Sequence, residues 1–165
     1  MDVYPIPLMK IELNNRQTTC HPNVRGIKKL ARQFMDQLHR LDRETVWNDI
    51  SIVLMDDAGI TDVNHRYLNH AFPTDVICFR YLSPGGNRQH AGAEIIVNVQ
   101  RALVEGPEHG GPSRELALYI AHGCDHLSEL NDNTAEGHRK MRLRELRWLS
   151  HARKCRLLNH LVRED

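Results

Sequence analysis

Residues 119–132 read YIAHGCDHLSELND, with histidines at 122 and 126 and an aspartate at 132. On a helix, positions i and i+4 share a face, so His122 and His126 are able to grip one metal ion together. A third ligand has to come from beyond that face. Asp132 falls past the point where the helix should stop, and a chain turning back there would present its carboxylate to the same ion. Two imidazoles, one carboxylate and an open position make a catalytic rather than a structural zinc site. Spacing alone does not decide the matter. With eleven histidines in 165 residues, two ordinary helix histidines fit the same pattern. The familiar metalloprotease helix places a glutamate base directly after its first histidine. Here that position is Gly123, and Asp125 points about 100° off the metal-facing stripe, so a peptidase lacks its base. Asp125 and Glu129 are expected to face solvent.

Working outward, Ser113 is placed to cap a helix from Arg114 to about Ser128, with Glu115 in its first turn. A second helix opens at a Thr134 cap and extends toward Val162, with Met141, Trp148, Leu149, Ala152, Cys155 and Leu158 on its apolar stripe. Upstream, MKIEL (9–13) alternates as a half-buried strand, and Val24 to Leu41 follows helical spacing after a break at Pro22. DISIVLMDD (49–57) is an apolar strand ending in an acidic turn, and AGITDVNHRYLNH (58–70) a short helix. TDVICFRYL (74–82) is a strand rich in β-branched and aromatic residues. SPGGNRQHAG (83–92) is a loop by composition, and AEIIVNV (93–99) a strand that leads into a short helix at QRALVEG (100–106). This order predicts a single α+β domain over residues 1–165, a small mixed β-sheet of about four strands packed with about four to six helices, with the metal site at a helix end.

A chain of 165 residues with 41% apolar content can bury a real core without disulfides. Its net charge of +1 argues against holding nucleic acid by bulk charge, and 5% aromatics argues against a stacking platform for single strands. The first residues, MDVYPIPLMKIELNN, lack the apolar core of a secretory signal, and no stretch approaches the roughly 18 apolar residues of a membrane span. The four cysteines form no CxxC pair and read as reduced thiols, which predicts a cytoplasmic protein. Cys124 lies about 200° around the helix from His122 and should pack rather than coordinate.

The stretch HGCDHLSELNDNTAEGHRKMRLRE (122–145) resembles the signature of the YbeY-type endoribonucleases, bacterial factors of ribosomal RNA maturation. His122, Gly123, His126 and Leu127 match the family's HGxxHL, Met141 and Glu145 match its MxxxE helix, and Asp132 stands at the third ligand, where one branch carries aspartate. VNHRYLNHAFPTDVICF (63–79) is similar to the family's NxxYLNHxxxTDVITF, and GAEIIVNV (92–99) to its GDIxIS strand. The likeness extends over nearly the whole chain. Departures are Glu129-Leu130 for a family Gly-Tyr, Leu68 where many members carry an arginine linked to RNA cleavage, and Glu94 for an aspartate.

The resemblance implies a metal-dependent endoribonuclease with one zinc per chain, held by His122, His126 and Asp132, that acts on single-stranded ribosomal RNA in maturation and quality control. Its partners would be ribosomal RNA and the small ribosomal subunit. Arg66 and Arg80 flank the upstream motif and are candidates for holding a phosphate. Between Thr134 and Asp165, nine Lys or Arg stand against four acids, a basic helix face able to track phosphates through Arg139, Lys140 and Arg142. His70 and His138 are further metal neighbours to consider, and Met141 a core residue. No residue is singled out as general base. The alternative is an RNA-binding ribosome-assembly factor whose metal is mainly structural.

Overall fold

The computed structural model describes residues 8–128 and 133–163. Along the chain run β1 (Lys10–Asn15), β2 (His21–Pro22), α1 (Val24–Leu41), β3 (Trp47–Met55), α2 (Asp57–Leu68), β4 (Val76–Ser83), β5 (Asn87–Asn98), α3 (Val99–Glu105), α4 (Pro112–His126), α5 (Ala135–Lys154) and β6 (Val162–Arg163). Four strands form one mixed sheet in the order β1-β3-β5-β4. β1 and β5 both run parallel to β3, and β4 pairs with β5 as an antiparallel hairpin. A parallel neighbour requires a crossover, which α1 supplies between β1 and β3.

The sheet explains why β3 reads so apolar. Successive residues of a strand face opposite sides. Ile50, Ile52 and Leu54 join the main core with Ile27, Leu30 and Phe34 of α1 and Leu116 and Ile120 of α4. Val53 and Met55 point the other way, into a smaller cluster with Ile60 of α2, Ile77 and Ile96. Helices cover both faces at that end, so both sets of side chains are apolar. α1 has the boundaries its periodicity predicts, because the stripe is complete and the Asn23 side chain accepts from the Gly26 N–H at 3.0 Å. α5 docks through Trp148, whose ring stacks on Phe34 at a centroid distance of 6.2 Å.

Three expectations need correction. SPGGNRQHAG is a tight turn rather than a full loop: Gly85 and Gly86 take φ of 80° and 74°, and β5 already begins at Asn87. Ser113 is not the cap of α4. The helix starts two residues before the expected Arg114, at Pro112, whose missing N–H costs nothing there, and the Ser113 hydroxyl accepts from the N–H groups of Leu161 and Val162. α5 ends at Lys154, and Arg156 takes a φ of 60° that breaks the helical path. Cys155 is consequently exposed rather than part of the apolar stripe. The chain then returns to pair β6 with β2, a small antiparallel ribbon. Among the described residues, no helix is long and apolar enough to cross a membrane.

Candidate metal centre

α4 lies across β4 and β5 and carries His122 and His126 on one face, as i, i+4 spacing requires. Their Nε2 atoms face each other at 2.8 Å. In tetrahedral coordination at about 2.0–2.1 Å per bond, two imidazole nitrogens stand about 3.4 Å apart. The rings therefore need to part by only about half an ångström to hold an ion. The other nitrogen of His122, Nδ1, lies 2.5 Å from Oε1 of Glu145 on α5, a carboxylate only 1% exposed. A ligand histidine whose far nitrogen is held by a buried carboxylate is fixed in ring orientation and made a better base.

These contacts set the two rings apart electrically. Burial opposes protonation of His122, but the hydrogen bond and negative charge of Glu145 outweigh it, and its pKa lies above the ordinary imidazole value. His126 lies below that value, first through burial and then through the neighbouring His122 charge. An ion bound at Nε2 of His122 would displace a proton from that nitrogen and leave the one shared with Glu145 at Nδ1.

Gly123, which occupies the place of a metalloprotease base, has a packing reason. A Cβ there would come within 2.7 Å of the Ile95 side chain and 3.0 Å of Val76. The Gly123 carbonyl also accepts from the Cys78 thiol at 3.2 Å. The helix is seated directly on the sheet at the residue between the two histidines, so no side chain fits. Gly123→Ala should push α4 off β4 and β5 and destabilise the fold by about 1–3 kcal/mol, the usual cost of overpacking. Urea unfolding would show this as a lower midpoint at unchanged slope.

The remaining candidates separate clearly. Asp125, expected in solvent, is fully buried and takes two hydrogen bonds on Oδ1 from Arg144, at 2.8 Å from Nε and 2.6 Å from Nη2. Burial raises its pKa against the opposing pull of Arg144. Asp132 and Glu129 lie outside the described residues. Arg142 reaches Glu145 at 3.6 Å and lines a cleft of about 610 Å³ with His122, Asp75 and Tyr119. Arg139 and Lys140 are exposed one turn after Glu136, at 4.0 and 3.6 Å from its carboxylate. Arg66 pairs with Asp62 at 2.9 Å, the Arg80 guanidinium sits 5.8 Å from the Trp47 ring centroid, and neither lines the cleft of His122 or the hollow of His126. His70 shares a hollow with His126, and the charge of His138 is among the influences lowering the His126 pKa. Cys124 is fully buried and Met141 is in the core.

Glu145 had no role assigned from sequence beyond its motif match. Its signal was a carboxylate on the buried stripe of α5, one turn after Met141 and just before Trp148. A second carboxylate–histidine group was not foreseen either: Glu105, His109 and Glu115 bring ligand atoms within 4.8 Å of one another, close enough to hold a metal ion. Glu105 is already bonded there, by Arg101 at 2.9 Å and the Tyr119 hydroxyl at 2.7 Å, and so ties α3 to α4.

Comparison with known proteins agrees with this architecture. The family model described as Endoribonuclease YbeY matches residues 12–153. The chain belongs to that family. An endoribonuclease YbeY from Moorella thermoacetica is 33% identical over 108 residues, 59% of this chain and 68% of that protein. One from Desulfitobacterium hafniense is 27% identical over 146 residues, 83% of this chain and 93% of the relative. In one from Rhodopirellula baltica, at 32% identity, the alignment spans 50% of the relative's length. The solution structure of a Thermotoga maritima protein shares the fold, with a TM-score of 0.55 at 17% identity over 90% of this chain and 95% of that one.

Proposed function

We propose that this protein is a metal-dependent endoribonuclease that cuts single-stranded segments of ribosomal RNA during maturation and quality control, in the cytoplasm. The observation that carries the metal dependence is His122 held between buried Glu145 and the facing Nε2 of His126. That donor set fits zinc. His122 and His126 would hold the ion, with Asp132 as the third ligand from the segment after α4. When bound, the ion supplies a Lewis acid for a phosphate oxygen. The protein's own part is to orient: Glu145 keeps the proton at Nδ1 of His122 and so directs its Nε2 outward, while Arg142 brings a cation to the rim of the adjoining cleft. The basic face of α5, through Arg139 and Lys140, extends that rim for a phosphate backbone and predicts salt-dependent binding. RNA carries its own 2′-hydroxyl nucleophile, so this substrate needs none from the protein.

The test is cleavage of a single-stranded ribosomal RNA fragment by the purified protein, by the chelator-stripped protein, and by the stripped protein after zinc is restored. Cleavage that disappears on stripping and returns with zinc is the expected result. RNA binding that survives all three treatments without any cleavage would instead favour a ribosome-assembly factor with a structural metal.

A further inference from the structure

Aromatic residues are few, and among the described residues the exposed ones are Tyr67 at the end of α2, Phe72 in the loop that follows, and Tyr81 on β4. Of the three, Phe72 lines the hollow that His126 also lines. The residue is 55% exposed, and its ring stacks on His70 at 5.2 Å with an interplanar angle of only 14°. The two rings form part of the wall of a hollow of about 360 Å³, with Leu68 and Val76 among its apolar lining and His126 also facing into it.

The loop is rigidly held. Buried Asn64 donates from its side-chain amide to the Phe72 carbonyl at 2.9 Å, and its own carbonyl accepts from the His70 N–H at 3.2 Å. Asn69 takes the left-handed conformation, with φ 57°, that turns the chain out of α2. Further on, the fully buried Asn98 donates to the Thr74 carbonyl at 3.0 Å, and the Asp75 carbonyl accepts from the Asn98 N–H at 2.8 Å. A phenyl ring on a loop held at four residues is placed before anything binds, so a planar partner gains stacking contact at little entropic cost.

We propose that Phe72, backed by His70, is the stacking shelf for an unpaired nucleobase next to the scissile phosphate. This rests on the reading of the site as an RNA-cleaving centre and extends it to how the strand is held. A base is planar, matches the parallel rings, and would meet Leu68, Val76 and Ile77 among the side chains of the hollow. Because His126 lines the same hollow, a base stacked there places its attached phosphate beside the histidine pair. Every base has a π-face, so stacking holds a single strand without reading sequence and without the surplus positive charge this chain lacks. A paired base in a helix has no free face to offer, which accounts for a preference for single strands.

The experiment uses the zinc-loaded full chain and a single-stranded, non-cleavable 2′-O-methyl oligoribonucleotide, with an abasic nucleotide moved along the strand. Alanine at a stacking position costs roughly tenfold in affinity or more. Phe72→Ala should bind about that much more weakly, Phe72→Leu equally weakly, and Phe72→Trp like the wild type, all with wild-type zinc content. At one strand position the abasic nucleotide should cost the wild type the same factor and cost Phe72→Ala nothing further. Equal affinity of Phe72→Ala and wild type, full affinity of Phe72→Leu, or an abasic loss of the same size in both proteins would overturn the shelf alone. Failure of the wild type to bind any RNA would overturn the RNA reading itself.

Discussion

Asp125→Ala should destabilise the protein by about 3–5 kcal/mol, the cost of breaking a buried ion pair and leaving one charge without its partner. Asp125 is fully buried, and the Arg144 side chain is only 15% exposed, so the stranded guanidinium gains little from water. That loss is a large part of the 5–15 kcal/mol that stabilises a typical domain. Replacing both residues by apolar ones of similar size should recover most of it, since such a pair contributes little net stability over good packing. Urea unfolding of the two single variants and the double variant measures this directly. Additive effects with no coupling between the positions would contradict it. The pair matters beyond stability because it clamps α5 to α4 one residue away from Glu145.

Glu145→Gln should weaken metal binding by about 10- to 100-fold, the usual penalty for losing the outer carboxylate of a ligand histidine. The shape is kept and the charge removed. In the metal-free protein the same substitution removes what holds the His122 pKa up and leaves burial, which lowers it. The sign for stability follows. A histidine whose folded pKa is raised contributes stability that is complete below its unfolded value, about pH 6.5, and is lost as pH rises through the folded value. The Glu145→Gln protein should lack that part of the pH dependence. An unchanged zinc affinity, measured by competition with a chelator, would show that Glu145 does not position His122.

The histidine pair and α1 were legible in the sequence because both rest on local periodicity, which packing only reinforces. The end of α5 was not. Its apolar spacing continues through Leu158, and only the positive φ at Arg156 shows where the helical path breaks. Asp125 was misread for a related reason: its partner Arg144 is nineteen residues away on another helix, and nothing near Asp125 marks that helix as its cover. Gly123 was legible as an absent base but not as a contact, since Ile95 and Val76 come from two different strands. The role of Glu145 became visible only when α5 packed against α4 and set it against His122. The aromatic composition pointed away from stacking, whereas the position of Phe72 beside His126 is a property of the folded loop.

The most direct measurement is the zinc content of purified wild-type, His126→Ala and Asp132→Ala proteins by elemental analysis, with folding checked by circular dichroism. The account predicts close to one zinc per wild-type chain and a sharp fall in both folded variants. Zinc retained in full by folded His126→Ala would contradict the central claim, because the ion would then belong to residues other than the His122–His126 pair.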